Sequence, residues 1–171
     1  MKKSLNSAQK LTFLALSVAV AMIFSYVEML LPSLSHIAPG IKIGLPNIVI
    51  ISVLYLFGTK EAATVSIIRV ILTSLLFTSP LTGAYGLAGA VLSLFVMALL
   101  KLTGRFSMIF VSIIGAIMHN VAQVILFFLI SQTAAVISYL PFLIIGGVLS
   151  GLAVGLCAYF LYKRLQKVYR I

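Results

Sequence analysis

Acidic residues are almost missing from this chain: it has no aspartate and only two glutamates, Glu28 and Glu61, in 171 residues. Paired carboxylates for acid–base work, or clustered ones for magnesium, therefore have nothing to be built from. Cysteine is down to Cys157, which has no second thiol for a disulfide and reads as a small buried hydrophobe in an apolar run. His36 and His119 stand too far apart in sequence for ligand spacing, so no metal centre is expected. No Gly-x-x-x-x-Gly-Lys-Ser/Thr loop occurs, so any ATP-driven work needs a partner. No serine or cysteine nucleophile has an evident base beside it in sequence. Neither catalysis nor a cofactor is expected.

Charge of either sign is scarce as well. Only 8% of residues are charged, against roughly 25% in a soluble domain. The chain is 63% hydrophobic with a mean hydropathy of +1.26, which makes a lipid bilayer its expected solvent. The net charge of +10 raises the question of nucleic acid. Lysine and arginine, however, sit at the ends of apolar runs and form no basic domain. Membrane orientation explains them, and nucleic-acid binding is not expected.

What is present is a series of apolar runs at about 11–31, 44–58, 62–77, 84–102, 107–130 and 139–162. A span needs about 17–25 residues, so the second and third are short. Lys60-Glu61 separates them, and fusing them would bury that pair at mid-membrane. The expected fold is an all-α integral membrane protein, one domain over 1–171 with six transmembrane helices. Placing the N-terminus inside puts Lys2, Lys3, Lys10, Lys60, Lys101, Arg105, Lys163, Arg164, Lys167 and Arg170 on the cytoplasmic side. That is ten of the twelve basic residues. Lys42 falls in an outer loop and Arg69 inside a span. Both termini are expected in the cytoplasm and the protein in the plasma membrane. Lys2, Lys3 and Lys10 before Ala19-Val20-Ala21 also resemble a cleavable signal, but the apolar stretch runs on to Leu31 and favours an uncleaved helix.

Small residues mark helix faces. The first span has one row at Ala15 and Ala19 and another at Ser17, Ala21 and Ser25. Each lets a second helix approach closely, from this chain or from another protein. The last span carries Gly147, Gly151 and Gly155, expected to pack internally, and the fourth opens with Gly83, Gly86 and Gly89. The outer connection 32–43, with His36 and two prolines, is long enough to act as a lid over an outer cavity or to be a plain connector.

The polar residues inside the apolar runs are the lead to function. They are Glu28, Asn47, Arg69, His119, Asn120 and Gln123. A charge at the bilayer centre costs roughly 2.5–3.5 kcal/mol on insertion scales, so it pairs or lines a cavity. By helical rise all six lie in the middle or outer half of the membrane. That distribution points to an outward-facing pocket; a pore would need polar residues at the inner end too. Arg69 suits a carboxylate or phosphate through planar bidentate contacts, and Glu28 is its simplest internal partner. The bland alternative makes Arg69–Glu28 a structural ion pair and the α-helical polar run a tie between helices.

These residues also carry a resemblance. Lys42-Ile-Gly-Leu-Pro-Asn47, Arg69-Val-Ile-Leu, Gly86-Leu-Ala-Gly-Ala-Val-Leu-Ser93 with Met97 and Lys101, and Phe106-Ser107 through Ser112, Gly115 and His119-Asn-Val-Ala-Gln123 are similar to the Gx transporter family. That family is often labelled heptaprenyl diphosphate synthase component I. Two departures stand out: Pro46 replaces the usual alanine before the asparagine, and Thr78 stands where a glycine often follows the third span. The family in turn resembles the substrate-binding S-components of energy-coupling-factor (ECF) transporters. The resemblance implies six helices, an outward pocket, a lid loop and a first-helix face at Ala15 and Ala19 that contacts a transmembrane coupling protein joined to two cytoplasmic ATPases. The implied function is import of a small molecule, with isoprenoid, quinone or flavin metabolism as context. The alternatives are a non-transporting membrane subunit that assists isoprenoid, quinone or flavin-linked redox assembly, and an ion channel or proton relay through Glu28, Arg69 and His119.

Overall fold

Asn6 starts the first helix by a reciprocal cap. Its side chain accepts the Gln9 backbone N–H at 3.0 Å, and the Gln9 side chain accepts the Asn6 N–H at 3.2 Å. In the computed structural model, which describes residues 3–4, 6–31 and 43–170, this cap carries the helix four residues ahead of the apolar run. The helices are α1 (Ser7–Leu30), α2 (Leu45–Leu56), α3 (Thr59–Phe77), α4 (Pro80–Leu102), α5 (Met108–Ser131) and α6 (Leu140–Val168). A 3₁₀ helix, Ala134–Tyr139, precedes α6. α6 overruns its apolar run into Lys163, Arg164 and Lys167, which suits a helix end reaching the charged membrane surface.

The six helices close into a ring. α1 packs on α2 and α3, then α3 on α4, α4 on α5, α5 on α6, and α6 returns to α2. Lys3–Ser4 pairs with Tyr169–Arg170, so the two ends of the chain meet at one end of the bundle. α1 is thus built into the bundle, with Ser17 and Ala21 buried on its inner face.

Length follows position. α2 is twelve residues, about 18 Å at helical rise, and its Pro46, Val49, Ile50, Ile51, Ser52, Val53, Leu54 and Leu56 are all buried. An inner helix has no lipid face to fill. Pro46 costs it nothing, because the first helical turn has no partner for that N–H in any case. α1, α4, α5 and α6 are long and apolar enough to cross a membrane. α3 has the length but carries Lys60, Glu61 and Arg69.

Packing relies on close approach, since lipid offers no hydrophobic drive between helices. A Cβ on Gly151 would sit 2.6 Å from Ile113 Cα, and one on Gly155 3.0 Å from Ile109 Cα. The α6 glycine row therefore lies directly on the α5 backbone. Cys157 falls on the other side of α6 and is exposed, not buried as its apolar run implied. The bundle's exterior is apolar: Leu75 is 71% and Leu102 80% exposed. An apolar surface of that kind suits lipid and would aggregate in water.

At the end that holds the chain termini, Lys10 Nζ meets Glu61 Oε1 at 2.5 Å and joins α1 to α3. Lys101 Nζ donates to the Leu54 carbonyl at 2.6 Å and lies 5.4 Å from the Tyr55 ring centre. It satisfies an orphan carbonyl at the end of α2.

Candidate ligand cavity

At the opposite end the ring opens into a cavity of about 360 Å³. Its walls come from the end of α1, the starts of α2 and α4, the second half of α3, and the middle of α5 and α6. Glu28, Asn47, Arg69, His119, Asn120 and Gln123 all line it. These six side chains come from four helices and meet in one space. Below it the bundle is filled by Ile50, Ile51, Val53, Leu54, Val65 and Val111, each 2% exposed or less.

Glu28 Oε1 accepts the backbone N–H of Gly44 at 2.5 Å, at the residue that caps α2. Gly44 has φ 78°, which other residues adopt only with strain. Arg69 enters from α3, and Glu28 is the carboxylate whose charge acts on it across the cavity. Arg69 Nε is enclosed by protein and has no hydrogen-bond partner. The same holds for Thr73 Oγ1, one turn along α3, which also lines the cavity.

On α5, Gln123 Nε2 and His119 Nε2 lie 3.2 Å apart; the residues are four apart in sequence and so on one helix face. Buried Asn120 is partly a structural tie, since its Nδ2 donates to the Leu143 carbonyl of α6 at 2.8 Å. The His119 ring leans on α4 at Gly89, where a Cβ would stand 2.6 Å from His119 Cε1. A glycine there makes room for the imidazole.

Sequence reasoning missed the hydroxyl lining: Ser25, Thr73, Ser74, Thr82 and Ser150 face the cavity. Thr73 carried a usable signal, four residues after Arg69 and so on its face. Both departures, Pro46 and Thr78, lie in the cavity wall. Ala15 and Ala19 are elsewhere, exposed on the outside of α1. Residues 32–42, the bulk of the expected lid, lie outside the described residues; Ile43 lines the cavity.

The model of the family described as heptaprenyl diphosphate synthase component I matches residues 17–161. The chain belongs to that family. This is the Gx transporter family of S-component-like helical membrane proteins. The match takes in every residue that lines the cavity, and Ala19 but not Ala15. No curated protein and no solved structure matches the chain.

Proposed function

We propose that this Gx transporter family member is the membrane-embedded substrate-binding subunit of an ECF-type importer for a small molecule. It would cross the plasma membrane six times, with α2 as the short inner crossing, α3 as the most polar one, and both termini in the cytoplasm. It performs no catalysis itself. The observation that carries the reading is the enclosed, unpartnered Nε of Arg69 in a cavity fed by four helices with polar groups. Leaving such a donor unsatisfied costs about 1–3 kcal/mol, and a ligand relieves that cost.

Arg69 holds an oxygen-bearing group of the substrate. His119 and Gln123 add neutral hydrogen bonds, and the free oxygen of Asn120 adds another. Glu28 and Asn47 hold the outer rim, with 32–43 as lid. ATP hydrolysis belongs to two cytoplasmic ATPases, reached through a coupling protein that docks on Ala15 and Ala19 of α1. The bundle rocks against that protein as a rigid body.

The family's description as a heptaprenyl diphosphate synthase component favours a second reading, a non-transporting subunit that assists isoprenoid synthesis, with quinone or flavin-linked redox assembly as its wider form. A channel or proton relay is disfavoured by the apolar floor beneath the cavity. Purification from native membranes in mild detergent, followed by protein mass spectrometry, separates these. A coupling protein with an ATPase pair is the expected companion. A prenyltransferase or redox enzyme in its place contradicts the importer reading.

A further inference from the structure

We infer that the cavity's ligand is a small monocarboxylate with a compact apolar body, its carboxylate lying along the Nε edge of Arg69 and on the Thr73 hydroxyl. This deepens the importer reading and rests on the same cavity being a binding site.

Three observations converge. First, the two enclosed polar atoms without partners, Arg69 Nε and Thr73 Oγ1, stand one turn apart on a single helix and both residues line the cavity. A planar carboxylate meets a guanidinium through two parallel N–H···O bonds. Both atoms are enclosed in this conformation, so the two side chains turn toward the cavity to receive it. Docked on the Nε edge, the carboxylate then has one oxygen near the neighbouring turn, where the threonine hydroxyl can donate. Asparagine and glutamine amides or a lone carbonyl would use only part of this arrangement.

Second, the charge count disfavours a ligand with more than one negative charge. Among the described residues that line the cavity, Arg69 is the one arginine or lysine and Glu28 the one carboxylate. A monocarboxylate adds one charge and can sit on Arg69, away from Glu28 at the rim. A diphosphate brings at least one further negative charge close to Glu28, in a site where interactions are screened weakly.

Third, size and lining set the body. About 360 Å³ is at the small end of the roughly 300–1,000 Å³ that encloses drug-sized ligands. Val70, Pro46, Met29 and Ala116 supply apolar wall beside the polar groups. A heptaprenyl chain does not fit inside such a space.

The test uses the full chain in lipid nanodiscs and thermal unfolding, since a ligand that binds only the native state raises its stability. The probes are 4-methylpentanoate and 4-phenylbutanoate, the primary amide of each, and geranyl diphosphate, all at millimolar concentration. The expected result is a raised melting temperature with at least one carboxylate and none with its amide or with the diphosphate. Thr73→Val weakens the carboxylate about 10-fold, as loss of one charge-assisted hydrogen bond does. Thr73→Ser restores it. Arg69→Lys, which keeps the charge and loses the planar edge, weakens it by at least about 10-fold. An amide as effective as its acid, a stronger effect of the diphosphate, or no effect of either carboxylate on the wild-type protein overturns the inference. No ATPase enters this measurement. Carboxylate binding in a protein that never associates with ATPases sinks the importer reading alone, and the reverse outcome sinks the carboxylate alone.

Discussion

Glu28 on the last turn of α1 receives the backbone N–H of Gly44, at 2.5 Å, immediately before α2 begins. A carboxylate is thereby fixed at a helix N-terminus, where backbone dipoles favour negative charge. The bond also sets the rim of the cavity, because Glu28, Gly44 and Asn47 all line it.

Gly44→Ala places a side chain on a residue with φ 78° and sets its Cβ 3.3 Å from Asn47 Nδ2. The expected loss is about 1–2 kcal/mol of unfolding free energy. Glu28→Gln keeps an acceptor for the Gly44 N–H but removes the charge, for an expected loss of about 0.3–1 kcal/mol. Denaturant unfolding in detergent micelles checks both. A Gly44→Ala protein as stable as wild type would mean that this rim is not rigid.

A contrast on α4 tests the seat of His119. A Cβ on Gly89 collides with the His119 ring, whereas one on Gly86 lies 3.5 Å from Val70 Cγ1, an ordinary contact. Gly89→Ala is expected to cost about 1–3 kcal/mol through overpacking. Gly86→Ala should be neutral or gain up to about 1 kcal/mol of helix propensity. Thermal unfolding of the two variants side by side gives the answer. Equal melting temperatures would contradict the packing of His119 against α4.

Much of this was legible in the sequence, and the reasons are physical. Helix positions follow from apolar runs bounded by Gly58, Ser79 and Ser107, residues that punctuate or cap helices. The six polar residues were conspicuous because an apolar solvent makes each of them costly. What the sequence could not give was which face of each helix points inward. The two small-residue rows of α1 look alike as text, yet Ser17 and Ala21 are buried while Ala15 and Ala19 are exposed. Cys157 was misread for the same reason. Glu28, the simplest internal partner of Arg69, also holds the Gly44 N–H at the start of α2, a backbone contact with no mark in the sequence. Thr73 went unnoticed because a hydroxyl in a span usually bonds its own helix, as Ser17 and Ser52 do here at 2.8 and 2.7 Å.

Acid should weaken the tie at the other end of the bundle. The hydrogen bond from Lys10, with help from a backbone N–H, holds the Glu61 carboxyl below its ordinary value. A lowered folded-state value contributes stability above the unfolded-state value, and that contribution disappears as pH falls through the folded-state value. For a pair this accessible it amounts to roughly 0.2–1 kcal/mol. The stability difference between wild type and Glu61→Gln should therefore shrink on acidification below the ordinary carboxylate range. A difference that grows in acid would contradict the assignment.

Ala19→Leu tests the outer face of α1. The side chain is exposed, so stability should stay within about 0.5 kcal/mol of wild type. If a coupling protein docks there, the bulk of leucine should strip the ATPase pair from the purified protein. A variant that folds and still carries the pair would move the docking face elsewhere.

The central claim is that the cavity around Arg69 and His119 binds a small molecule. Native mass spectrometry of the gently purified protein addresses it most directly. Wild type is expected to retain a bound small molecule, and Arg69→Ala and His119→Ala are each expected to lose it while the variants remain folded. Retention of the same molecule by both variants would contradict the account.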